Sequence, residues 1–153
     1  MCIRDSDNLP EVPDDIATMP IGTVYRFLVL PASHPLADEE VESPLAKLGD
    51  ETFISYTKGT LAHDLQRKAL ALHGLEPTRT ISADSVETIL QFVDQGLGFS
   101  LVPWLTAEGP EGEGFRVWTL SDPEVRFEIV AAWRKDTPEN PLLDAALETA
   151  PRP

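Results

Sequence analysis

The chain has 153 residues, enough for one domain with its own core or for two small lobes, and its 42% hydrophobic share excludes a disordered tail. Lys plus Arg number 12 against 26 Asp plus Glu, a formal charge of −14, and no basic run is longer than Arg67-Lys68 or Arg134-Lys135. Clustered cations are what a nucleic-acid surface needs, so this stretch of chain is excluded as one.

Residues 1–22 carry Pro10, Pro13 and Pro20 and show no apolar periodicity, so they are expected to be irregular. The first six, MCIRDS, resemble a spurious leader found on reading frames from assembled environmental reads. On that view the chain is a fragment whose true start lies upstream. MCIRDSDNLPEV has no apolar h-region, so a signal peptide is not expected. Residues 25–30 (YRFLVL) form a β-rich run ended by Pro31 and predict a strand. Pro31 and Pro35 exclude a helix across PASHPLA. A short helix over residues 43–48 is expected, with Ser43 as N-cap, Pro44 in its first turn and Gly49 as its stop.

Residues 52–56 (TFISY) predict a second strand, and residues 57–60 (TKGT) a tight turn into a helix over about 61–72. Leu61, Leu65, Ala69 and Leu72 recur at helical spacing and predict its buried stripe, with His63, Asp64, Arg67 and Lys68 towards solvent and Gly74 as the stop. A strand over 79–83 follows. Asp84 suits an N-cap, with Glu87 reaching back in a capping-box variant. Val86, Ile89, Leu90 and Val93 mark one helical face, Gly96 ends it and Leu97 tucks beneath. Residues 99–102 predict a buried strand closed by Pro103, residues 108–114 a polar loop, and residues 115–120 and 125–133 two further strands. Asn140 and Pro141 open a last helix, apolar at Leu142, Leu143, Ala146 and Leu147. This order predicts an α/β fold with a mostly parallel or mixed sheet.

Candidate metal ligands are few. The lone Cys2 excludes an intramolecular disulfide and a multi-Cys zinc site, and His34, His63 and His73 show no ligand spacing. No metal or cofactor is expected. No apolar run approaches the length of a membrane span. Trp104, Trp118 and Trp133 lie on three separate segments, so packing is expected of them rather than sugar stacking.

The strings LVLPASHPLADEE, TKGT, ADSVETILQFVDQGLGFSLVP and RFEIVAAWRKD followed by NPLLDAAL are similar, in order and separation, to the effector-binding part of LysR-type transcriptional regulators. The resemblance covers residues 23–147. It implies a periplasmic-binding-protein-like (type 2) effector domain of two Rossmann-like lobes joined by two crossing strands, with the inducer in the cleft between them. It also implies a preceding winged helix-turn-helix, absent here together with most of the first lobe. One nearly complete lobe is therefore expected, with remnants of the other. Residues 1–22 would be leader and first-lobe remnant, residues 23–135 the crossing strands and second lobe, and residues 136–153 a helix returning to the first lobe. The two crossing ribbons, near Phe27 and near Trp133, are required to run side by side. With half the cleft wall missing, weak effector binding or none is expected of these 153 residues alone.

In open α/β sheets ligands lie beyond the carboxyl ends of the strands, where helix N-termini offer amides and partial positive charge. Two helix starts meet that description. After Tyr56 come Thr57, Lys58, Gly59 and Thr60, in which Gly59 lets the backbone approach a ligand while hydroxyls and the ammonium donate. The other is Asp84, Ser85 and Val86, where Ser85 can donate but Asp84 repels an anion unless capping occupies its carboxylate. By resemblance, Phe99 and Ser100 also border the cleft. The same residues also suit plain caps and a solvated loop.

The function implied is effector sensing in a LysR-family, DNA-binding transcriptional regulator. Its partners would be a small-molecule effector, a carboxylate among the candidates, DNA through the missing helix-turn-helix only, and copies of itself in a full-length dimer or tetramer. The protein would be cytoplasmic, with no membrane partner. A solute-binding receptor of a transport system, with the same lobes, is the alternative. An enzyme is not expected, since no GxxxxGK[ST] phosphate loop and no GxSxG elbow is present.

Overall fold

Strands in this chain alternate apolar residues between two faces, and its helices place theirs along one stripe. Both patterns resolve into layers in the computed structural model, which describes residues 2–5, 12–38, 44–120, 127–138 and 140–150. The chain divides into two units, Arg26–Ser121 and the pair Met1–Tyr25 with Asp122–Pro153.

The larger unit is built on a mixed sheet. Strand β2 (Ile16–Pro31) enters it, and its residues 27–31 pair antiparallel with β6 (Phe115–Thr119), Phe27 facing Thr119 and Pro31 facing Phe115. Strand β5 (Ser100–Trp104) lies beside β2. Strands β3 (Thr52–Tyr56) and β4 (Arg79–Ala83) are parallel partners, Thr52 opposite Arg79 and Tyr56 opposite Ala83. A parallel bridge from Phe53 to Phe99 brings β3 against the start of β5. Two backbone bonds hold it, Ile54 N to Phe99 O at 2.8 Å and Phe99 N to Thr52 O at 3.0 Å.

Alternation along these strands supplies two cores. Leu28, Leu30, Phe53, Phe99 and Leu101 face one way, covered by Leu45 and Leu48 and by Ala69 and Leu70 of helix α1 (Leu61–Leu72). Phe27, Val29, Ile54, Tyr56 and Val102 face the other, covered by Ile89 and Val93 of helix α2 (Val86–Asp94). A sheet with helical cover on both faces is the doubly wound arrangement expected of a Rossmann-like lobe. The rings of Phe53 and Phe99 meet tilted, 5.2 Å between centroids.

Both main helices end as their glycines dictate. Gly74 (φ 69°) and Gly96 (φ 74°) follow the last turns, with Leu75 N bonded to Leu70 O and Leu97 N to Phe92 O, the Schellman pattern. Leu97 itself is exposed rather than tucked under α2, whereas Leu75, at the same place after α1, is buried. Gly98 has a different task. A Cβ there would collide with the Thr52 carbonyl, so only glycine lets β5 approach β3 at this point.

The stripe of α1 is rotated from the expected one. Leu61 and Leu72 are exposed, at 59% and 47%, while Ala62 packs on the core and Gln66, Ala69 and Leu70 are buried. Residues 35–38 form a single 3-10 turn beginning at Pro35, and residues 45–47 a second. A proline tolerates the first position of such a turn, so PASHPLA is less extended than its prolines suggest. The expected cap Ser43 lies outside the described residues, as does the start of the expected 125–133 strand at Val125.

In the smaller unit, β1 (Cys2–Asp5) pairs antiparallel with β7 (Phe127–Arg134), Cys2 opposite Val130. β7 in turn pairs with residues 16–24 of β2, Ile16 opposite Arg134 and Val24 opposite Phe127. The two ribbons thus run side by side. The strand extends nine residues upstream of the expected 25–30, so residues 16–22 are not irregular, and a strand occupies Cys2–Asp5 where none was expected. Pro20 fits because the register shifts between Pro20 and Gly22, a bulge where a missing N–H costs nothing. Helix α3 (Pro141–Thr149) starts as expected, with the Asn140 side chain accepting from Leu142 N, and Leu142 is 81% exposed.

Candidate functional site

β3 and β4 run in the same direction and end together, at Tyr56 and Ala83. Each is followed by a short loop that starts a helix, so both helix N-termini are delivered to one edge of the sheet. The two loops are joined. Thr57 donates its amide to Ala83 O at 3.0 Å and its hydroxyl to the same oxygen at 3.3 Å.

Loop 57–60 then closes on itself. Thr60 N and Thr60 Oγ1 both donate to Thr57 O, at 3.3 and 2.8 Å. Gly59 takes φ 88°, which a side chain would strain. Thr60 Oγ1 also accepts from His63 N at 3.2 Å, making Thr60 the N-cap of α1. The Thr57 and Thr60 donors are thus taken within the loops, which leaves as donors the exposed Lys58 ammonium and the first amides of α1, which have no intrahelical acceptor, with the carboxylate of Asp64 in the same turn.

The second helix start differs from expectation in one respect. Ser85, not Asp84, is the N-cap of α2, accepting from Thr88 N at 3.2 Å, with its hydroxyl hydrogen-bonded to the Thr88 hydroxyl at 3.1 Å. A helix beginning at Val86 puts residue 85 in the capping position, and its hydroxyl reaches the third amide. No capping box forms with Glu87. The Asp84 carboxylate is exposed and unbonded among the described residues, so it opposes an anion. Of the two helix starts, loop 57–60 carries an ammonium, and loop 84–85 carries one hydroxyl and a negative charge. Val86 is half-buried and packs on the core beneath α2.

Tyr56 is buried at the head of this edge. Burial first, and the Glu87 carboxylate second, push its phenol from 10.0 up to about 12. Phe99 and Ser100 stand apart from the loops. Both side chains are interior, Phe99 against Phe53 and Ser100 donating to Ile54 O at 2.6 Å, so they pack the sheet rather than present groups at its edge.

Gln66 is the residue that periodicity missed. It is 4% exposed, and its amide is fully used: Oε1 accepts from Tyr56 N at 2.9 Å, and Nε2 donates to Leu101 O at 2.7 Å and to Ser100 Oγ at 3.3 Å. The signal was present, since residues 62, 66, 69 and 70 satisfy helical spacing as well as 61, 65, 69 and 72 do. Among the tryptophans, Trp118 packs on one core and Trp104 on the other, which removes a shared stacking surface for those two. No cluster of metal-ligating side chains occurs among the described residues, and no described helix is long and apolar enough to cross a membrane.

A doubly wound lobe with two helix starts at the end of its parallel strands defines an α/β ligand-binding domain. Residues 6–152 match the family model of the LysR substrate binding domain, and the chain belongs to that family. It is similar to YwbI of Bacillus subtilis (strain 168), an uncharacterized HTH-type transcriptional regulator, with 30% identity over 128 residues, 84% of this chain and 42% of the relative. GltR of the same organism, also an HTH-type transcriptional regulator, is 32% identical over 121 residues, 78% of this chain and 39% of the relative. The chain thus spans less than half the length of these curated relatives. Among solved structures, the BenM effector binding domain with its effector benzoate has a TM-score of 0.67 and 26% identity, over 93% of this chain and 64% of that one. The effector binding domain of QuiR in complex with shikimate has a TM-score of 0.67 over 93% of this chain and 66% of that one; at 19% identity it shows the fold alone. These likenesses bear out the periplasmic-binding-protein-like effector-domain fold expected from the sequence.

Proposed function

We propose that this chain is the effector-sensing domain of a LysR-family transcriptional regulator, and that its effector docks at the shared edge of β3 and β4. The likeness to the BenM domain with benzoate, at 26% identity over 93% of this chain, carries the reading. The effector class favoured is a small carboxylate. Its charged end would meet the first-turn amides of α1 together with Lys58 and Gly59, where dipole and ammonium have the same sign, beside Thr57 and Thr60, whose own amides and hydroxyls donate within the loops. Ser85 would donate to a hydroxyl or carbonyl farther along the molecule. Asp84 would select against a second carboxylate on that side, because two unscreened negative charges at short range repel.

At −14 this chain repels DNA, so DNA contact falls to a helix-turn-helix elsewhere in the full-length protein, working as a dimer or tetramer in the cytoplasm. The chemistry of the site is binding rather than catalysis. Sequencing the genomic DNA upstream of the Met1 codon tests this directly. An in-frame helix-turn-helix segment of about 60 residues is expected. A secretion signal there would instead make the chain a solute receptor and overturn the regulator reading.

A further inference from the structure

We infer that Gln66 is a positioning residue: its buried amide fixes loop 57–60 in the shape a ligand would meet. The geometry is a closed ring. Tyr56 is the last residue before the loop, Thr60 is its last residue and the cap of α1, and Gln66 lies further along α1. Through the bond from Tyr56 N to Gln66 Oε1, one side chain joins the strand that enters the loop to the helix that leaves it. Through Leu101 O and Ser100 Oγ, the other end of the same amide ties that ring to β5.

A primary amide is the group this position requires. It faces one donor, the Tyr56 N–H, and one carbonyl acceptor, Leu101 O, with the Ser100 hydroxyl alongside. Glutamine accepts from the first and donates to the second with a single planar group. Methionine offers neither bond and strands two buried backbone groups. A glutamate carboxylate still accepts from Tyr56 N but turns an acceptor towards Leu101 O. Once protonated, it donates to that oxygen and restores the pattern. The three partners of position 66 are neutral groups, while His63 and Asp64 nearby can titrate, so a pH response present in Gln66→Glu and absent from the wild type belongs to the introduced carboxyl.

The claim about loop order stands on the hydrogen bonds alone, whereas its effect on affinity rests on the effector-binding reading proposed above. Amide hydrogen exchange on the whole chain separates the two. In Gln66→Met, protection at Thr60, His63 and Asp64 is expected to fall about tenfold or more while the α2 amides keep theirs, a local rather than global opening. Gln66→Glu is expected to lose that protection at neutral pH and regain it in acid, a reversal that a general loss of packing does not give. It also serves if the methionine variant fails to fold. A folded Gln66→Met with unchanged protection at residues 60–64, or a Gln66→Glu whose protection ignores pH, overturns the inference. With benzoate as probe, affinity should follow loop protection across the variants. Benzoate binding by the wild type that leaves the loop 57–60 amides unperturbed counts against the docking proposal and leaves the exchange result to decide on Gln66.

Discussion

Thr57 gives both its amide and its hydroxyl to the carbonyl of Ala83, at 3.0 and 3.3 Å. One residue at the end of β3 thereby holds the end of β4, and with it the start of the next helix. Thr57→Val keeps the amide bond and loses the hydroxyl. It is expected to cost about 1 kcal/mol in urea denaturation, the usual net worth of one hydrogen bond. No loss of stability in Thr57→Val would remove the hydroxyl bond as a tie between the two loops.

The cap of α2 separates two neighbouring residues. Ser85→Ala removes the side chain that accepts from Thr88 N and is expected to cost about 1 kcal/mol. Asp84→Ala should change stability by less than about 0.5 kcal/mol, since its exposed carboxylate holds no bond. The opposite order in thermal or urea unfolding would restore Asp84 as the cap.

Gly98 is predicted to be the least tolerant glycine of the QGLGF segment. Gly98→Ala drives a Cβ into the Thr52 carbonyl and should cost about 3 kcal/mol or more, by strain and by parting β5 from β3. At Gly96 nothing lies near an added Cβ, so Gly96→Ala meets only the φ penalty of 74°, about 1 kcal/mol. Comparing the two urea midpoints checks the close approach.

Tyr56 predicts an alkaline loss of stability. Its phenol is raised to about 12 in the folded chain against 10.0 unfolded, so between those values the folded state binds more protons. Stability therefore falls as pH rises through this window, by about 3 kcal/mol at most, and is fully present below it. Tyr56→Phe should flatten that part of the pH profile. An unchanged alkaline slope in the variant would remove Tyr56 as its source.

How far these features were legible in the sequence depends on where their partners lie. β3, α1 and β4 fall at residues 52–56, 61–72 and 79–83 as their patterns dictate, because turn residues and caps bound them locally. Residues 16–22 gave no such signal. They become a strand through pairing with β7, more than 100 residues away, as in Ile16 opposite Arg134. Ala69 belongs to both possible stripes of α1, and hydropathy favours Leu61 and Leu72 over Gln66. Packing chose the other stripe because the Gln66 amide satisfies backbone groups that a leucine would leave unpaired. In the candidate site, Thr57 and Thr60 were legible as turn and cap residues. The interior placing of Phe99 and Ser100 was not, since a strand's alternation does not say what covers each face.

Loop 57–60 is the centre of the proposal, and a titration followed amide by amide tests it most directly. The isotope-labelled chain would be titrated with benzoate, shikimate and a short dicarboxylate. Binding in the millimolar range is predicted, with the largest shifts at the amides of Lys58, Gly59, Thr60 and Ser85 and a weakened response in Lys58→Ala. Binding of any of the three compounds with shifts confined to other segments would contradict it.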